Sequence, residues 1–142
     1  MKKSGLLNAE LAGAVTDLRD TDLVVLCDSG FPAPKGVREI DISLVKFIPT
    51  LEQTLRAVVG ELNVSKCYYV DYIDEWNPEL FELLPKLLYK QEVIGVSDTE
   101  FSKLAAQAKL IIRTGEAKVG SNIILQSASG AEGYGTDMSV EC

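Results

Sequence analysis

Three aspartates bracket a short apolar run near the amino terminus: Asp20 and Asp22 precede Leu23 to Cys27, and Asp28 follows it. A fourth, Asp98, opens a later helical pattern. Glu116 and Lys118 lie in the stretch TGEAKVGS, which leads to Asn122. The chain contains no histidine. That removes the usual acid/base group at neutral pH and the commonest zinc ligand. No Cys-x-x-Cys is present either, so no metal site and no cofactor are expected, and proton chemistry must use carboxylates, lysine, tyrosine or cysteine. Two carboxyl groups brought together can hold one proton between them and act as acid and base at once.

Each of these residues also has a plain structural reading. Asp20 and Asp22 suit the end of a helix and the start of a strand. Asp98 suits the first turn of a helix, where the macrodipole favours a carboxylate. Cys27 has no histidine to activate it and reads as a buried structural thiol. TGEAKVGS lacks the glycine spacing and GK[ST] ending of a phosphate loop, and it joins two strands instead of entering a helix.

The 142 residues, 46% hydrophobic and 25% charged, suit one compact domain. A net charge of −7 argues against a nucleic-acid partner. No apolar run approaches the roughly 20 residues that span a bilayer, and MKKSGLLNAELAG has no signal-peptide core. Cys27, Cys67 and Cys142, an odd and unpaired set, fit a reducing cytoplasm.

The elements that must position these side chains alternate. Asn8 caps a helix carrying Leu11, Val15 and Leu18. Leu23 to Cys27 is a strand covered on both faces, and Val37 to Ile42 is a second strand. Thr50 and Gln53 form a capping box for a helix with Leu51, Leu55, Val58 and Leu62 on one face. Lys66 to Ile73 is a strand. Asn77 and Pro78 open a helix that Pro85 is expected to kink or split. Glu92 to Val96 is a strand, Ser97 and Glu100 cap another helix, and Lys109 to Arg113 and Asn122 to Gln126 are strands. The order α-β-β-α-β-α-β-α-β-β predicts a single three-layer α/β domain with a largely parallel central sheet. In such sheets ligands bind outside the carboxyl ends of the strands, which points to the loops after Cys27, Ile73, Val96 and Arg113.

Several segments together resemble the ribose pyranase and fucose mutarotase family. MKKSGLLNAELAGAVTDL is similar to its first helix. TDLVVLCDSGFPAPKGVREIDISL resembles its T-D-x-x-V-x-x-D-A-G-x-P-x-P segment, including both prolines and Asp41. NPELF and EFSKL have counterparts, and IIRTGEAKVGSNIIL resembles its I-R-[ST]-G-E-x-x-P-Y-A-N-[IV]-I-L ending. The likeness covers residues 1–127, leaving 128–142 as a tail rich in glycine and serine. It implies a cytoplasmic protein that self-associates into a ring, commonly a decamer. It further implies a cofactor-free isomerase that exchanges cyclic forms of a free monosaccharide, at sites between subunits.

Some family positions differ here. The acid/base histidine corresponds to Asp20, a second pocket histidine to Asp98, the proline of P-Y-A-N to Val119 and its tyrosine to Gly120. The resemblance thus implies Asp20 as the catalytic group, Asp28, Asp98, Gly120, Ser121 and Asn122 as sugar-binding residues, and Asp22, Arg113 and Glu116 as their support. Like-charge crowding among Asp20, Asp28 and Asp98 would raise at least one carboxyl pKa. Two functions stay open: a mutarotase or pyranase working through carboxylates, and a catalytically inactive sugar-binding or sensor protein on the same scaffold.

Overall fold

The computed structural model describes residues 1–130, so most of the expected tail lies outside the described residues. The element order is α1 (Ala9–Thr16), β1 (Leu23–Cys27), β2 (Arg38–Asp41), α2 (Leu51–Val59), β3 (Val64–Val70), α3 (Ile73–Trp76), α4 (Pro78–Leu87), β4 (Glu92–Val96), α5 (Asp98–Ala106), β5 (Leu110–Arg113) and β6 (Ile123–Ser127). The caps form as their residue types dictate. The Asn8 side chain accepts from the Leu11 amide, Thr50 and Gln53 form a reciprocal box, and Asn77 precedes Pro78 at the start of α4. Ser97 accepts from the Glu100 amide at the start of α5.

Of the two outcomes expected at Pro85, a kink or a split, the split does not occur. The proline removes one donor, yet the helix runs on to Leu87, because the buried Leu84 and Leu87 seat this last turn in the core. The short helix α3 is an addition to the predicted order.

The sheet order is β2-β5-β1-β6-β3-β4. β1, β2 and β5 are mutually parallel, and so are β3 and β4. β6 pairs antiparallel with both β1 and β3. Five strands therefore point one way and β6 points the other. The carboxyl ends of β1 to β5 share an edge with the amino end of β6, and the carboxyl end of β6 lies at the opposite edge.

Helices cover both faces. Val24 and Leu26 of β1 face a core made with α1, α2 and α4, including Leu11, Leu55 and Leu84. Val25 and Cys27 face the other side, where Phe101 and Ala105 of α5 pack. This alternation on a strand buried on both sides explains the unbroken apolar run. Cys27 and Cys67 are free and buried, and burial pushes each thiol up to about 12. Among the described residues no helix is long and apolar enough to cross a membrane.

The entry to β1 is a tight turn. Thr21 adopts a left-handed φ of 69° and its amide donates to the Ser127 carbonyl at the far end of β6. Asp22 locks this turn: its Oδ2 accepts from the Arg19 amide at 2.7 Å and from Lys109 Nζ at 3.2 Å. The Arg19 amide first, and Lys109 after it, hold the Asp22 carboxyl below its ordinary value of 3.8. A depressed folded-state pKa gives stability that is present above the unfolded value and lost as pH falls through the folded one. Asp22→Asn is therefore expected to lower unfolding free energy by about 1 kcal/mol at pH 7. Urea denaturation across pH should show the difference from the parent closing as pH falls below 3.8.

Candidate functional site

β1 ends at Cys27, and the next residue, Asp28, turns its carboxylate under the loop that enters β6. Asp28 is only 6% exposed. Its Oδ1 accepts from the Gly30 amide at 3.1 Å and its Oδ2 from the Gly120 amide at 3.1 Å, while its own amide donates to Asn122 Oδ1 at 2.9 Å. The Ser121 amide is directed at the same carboxylate. Gly120 sits at φ 79°, a left-handed conformation that glycine adopts without cost. This turn aims its amide at Asp28. Burial raises the Asp28 pKa above its ordinary 3.8, and the amides of Gly30, Gly120 and Ser121 oppose the shift.

The loop after β5 braces the site from below. Thr114 Oγ1 donates to the Cys27 carbonyl at 2.8 Å and accepts from the Glu116 amide at 3.1 Å. Glu116 is buried; its Oε2 accepts from the amides of Ala117 and Lys118, and its Oε1 from Leu51 at the start of α2. A carboxylate at that helix end is favoured by the dipole. Gly115 passes so close to the Ile48 carbonyl that a Cβ would collide with it. Arg113 grips both carboxylate oxygens of Glu39, at 2.8 and 3.3 Å, and donates to the Ser29 carbonyl at 3.1 Å. Both Arg113 and Glu116 thus hold the loops in place.

Above Asp28 opens a cleft of about 400 Å³, bordered by Asp28, Ser29, Phe31, Glu116, Gly120 and Asn122 and, across from them, by Tyr72 and Trp76. That volume suits a small molecule. Asp98 lies beside the cleft: its Oδ1 accepts the Tyr72 hydroxyl at 2.9 Å. The Tyr72 pKa is raised by burial first and by this hydrogen bond second, so the hydroxyl stays a donor. Ser121 is fully buried behind the turn, its Oγ accepting from Asn77 Nδ2 at 2.8 Å.

The structure thus gathers Asp28, Gly120, Asn122 and Glu116 at one cleft, puts Asp98 at its side, and sets Ser121 and Arg113 behind it. Asp20 and Asp22 are elsewhere. They precede β1 while Asp28 follows it, so within one chain roughly 20 Å of extended strand separates them, and Asp20 is exposed at the opposite edge. The expected crowding of Asp20, Asp28 and Asp98 does not occur within the chain. The rise in the Asp28 pKa comes from burial instead of like charge. Tyr72 and Trp76 escaped the sequence reading. Both follow β3, whose carboxyl-end loop was a candidate, but their own spacing carries no motif.

The RbsD / FucU transport protein family model matches residues 1–129. D-ribose pyranase from Thermoanaerobacter sp. (strain X514) is 42% identical over 127 residues, covering 89% of this chain and 97% of that protein. D-ribose pyranase from Lactococcus lactis subsp. cremoris (strain MG1363) is 43% identical over 128 residues, 89% of this chain and 97% of that protein. The structure of Bacillus subtilis RbsD complexed with D-ribose superposes with a TM-score of 0.86 at 39% identity, covering 91% of this chain and 98% of that one. A fucose mutarotase from Streptococcus pneumoniae, solved with L-fucose, shares the fold at 16% identity, with a TM-score of 0.66 and coverage of 87% of this chain and 94% of that one.

Carbon-detected NMR titration of the carboxyl groups provides a check on the electrostatics. Asp28 should titrate above 3.8, and Asp22 and Asp41 below it. For Asp41 the depression comes from the Ser43 hydroxyl and amide. An Asp28 midpoint at or below the ordinary value would mean that the surrounding amides outweigh its burial.

Proposed function

Because the chain belongs to the RbsD / FucU transport protein family, we propose that it binds a free aldose in the cleft above Asp28 and interconverts the sugar's cyclic forms. The observation that carries this reading is the buried Asp28 carboxylate, facing a sugar-sized cleft and fixed by amides from two separate turns. A hemiacetal opens when a base takes the proton of the anomeric hydroxyl while the ring oxygen gains a proton and its bond to the anomeric carbon breaks. Reclosure on the other face, or through another hydroxyl, gives the new form and returns both protons. No cofactor is consumed.

Asp28 takes the anomeric proton in this scheme. Its raised pKa makes it a better base than a free carboxylate, whose value near 3.9 is poorly matched to neutral pH. Asn122, with the amides around Gly120 and Ser121, holds the Asp28 loop against the entering sugar. Asp98 orients the Tyr72 hydroxyl. Asp20 enters the site from a neighbouring copy: it stands exposed on a turn clamped to β6 by the Thr21 amide, and the family resemblance implies sites between subunits. Two carboxyl groups on one sugar then share a proton and titrate as a pair. The assembly is a ring, a decamer by that resemblance. One loop exposes Leu44, Val45, Phe47 and Ile48, and such clustered apolar surface marks a contact face. The sugar is a cytoplasmic monosaccharide.

Exchange NMR on D-ribose tests the reading. Asp28→Asn should cut the catalysed exchange by about 10²-fold or more, while saturation-transfer signals show that the sugar still binds. Asp20→Asn should also lower exchange, and refolding a mixture of the two variants together should restore part of the activity. Binding without any acceleration in the parent protein would leave a silent sugar-binding protein, and absence of restoration in the mixture would put Asp20 outside the site.

A further inference from the structure

Trp76 is the only tryptophan in the chain, and it is 54% exposed at the rim of the cleft. Helix α3 buries Ile73 in the core, which turns Trp76 outward. Tyr72 lies beside it, ring centroids 5.7 Å apart and planes tilted by 53°. The two rings make a corner and do not stack on each other, so each keeps a face free for a guest. The Tyr72 hydroxyl is tied to Asp98 at 2.9 Å, which fixes the ring in place.

The facing position is Gly120. A Cβ there would already be in van der Waals contact, 3.5 Å from Tyr72 Cε2 and 3.7 Å from the Trp76 Cβ, so Gly120 packs close to the base of the aromatic corner. Glycine keeps that end of the cleft free of a side chain. Its amide is meanwhile committed to Asp28. The cleft therefore has a hydrogen-bonding side, formed by Asp28 and Asn122, and an apolar side, formed by Tyr72 and Trp76. A cyclic aldose has the matching asymmetry: hydroxyls around its edge and C–H bonds on a face. Aromatic walls of this kind supply apolar contact area and orientation together.

We propose that Tyr72 and Trp76 form the apolar wall on which the C–H face of the cyclic aldose packs, and that this wall sets which sugars the site accepts. The inference rests on the aldose reading above and adds the residues that select the guest. Ring forms with a flat C–H face are favoured, and open-chain polyols, which carry the same hydroxyls without such a face, are rejected.

Titrations with D-ribose, L-fucose and ribitol, followed by tryptophan emission and by saturation-transfer NMR, test it. Both ring sugars should change the emission saturably, and ribitol should not. Trp76→Ala should weaken ring-sugar binding about 3- to 10-fold, and Trp76→Phe should recover most of it. Trp76 is exposed, so neither variant is expected to disturb the core. Ring sugars that bind by NMR without altering emission, with unchanged affinity in Trp76→Ala, would overturn the wall and leave the aldose reading intact. If neither sugar bound the parent protein, the aldose reading would fall and the wall with it.

Discussion

β6 runs against both of its neighbours, and the site depends on that reversal. A sixth parallel strand between β1 and β3 would deliver its amino end to the opposite edge. The antiparallel pairing instead brings Gly120, Ser121 and Asn122 to the edge where β1 and β3 end. Only there can the Gly120 amide reach the carboxylate after β1 while Tyr72 and Trp76 after β3 look across at both. The hydrogen-bonded register of β6 thus fixes the width of the cleft, and the helices on either face fix the register by burying Ile123, Ile124 and Leu125.

Within that frame Asp28 carries an unfavourable burial that amides from two turns oppose. Water is replaced around it by N–H groups that cannot reorient, so the carboxylate is held in one place with a proton affinity above that of a free side chain. Burial favours the protonated form and the fixed amide dipoles favour the ionised one, so the two effects oppose each other at this carboxyl and burial prevails.

Much of the scaffold was legible in the sequence because its signals are local. Asn8, Thr50 and Ser97 announce helix starts, and the unbroken run from Leu23 to Cys27 announces a strand covered on both faces. The family likeness extended that reading to a cleft around Asp28 and Asn122, where the structure has one. Strand order and the direction of β6 are set by packing among segments far apart in the chain, and no residue type records them. Pro85 does not end the helix because two buried leucines in the same turn, Leu84 and Leu87, hold it in the core. The separation of Asp20 from Asp28 was implicit in the strand between them, since extended chain keeps its ends apart. Tyr72 and Trp76 gave no signal because only the fold brings them to one cleft with Gly120 and Asp28.

The turn between β5 and β6 has two unequal halves. Thr114, Gly115 and Glu116 are locked by the Cys27 carbonyl, the Ile48 carbonyl and the first amide of α2. Ala117 to Gly120 border the cleft and are held through their backbones, the Ala117 and Lys118 amides on Glu116 and the Gly120 amide on Asp28. Substitution in the first half would disturb three elements at once, whereas Val119 in the second half is exposed, and its side chain can change with those backbone bonds left in place. Side chains at the cleft rim can therefore vary along the β5–β6 loop while the architecture beneath it stays unchanged.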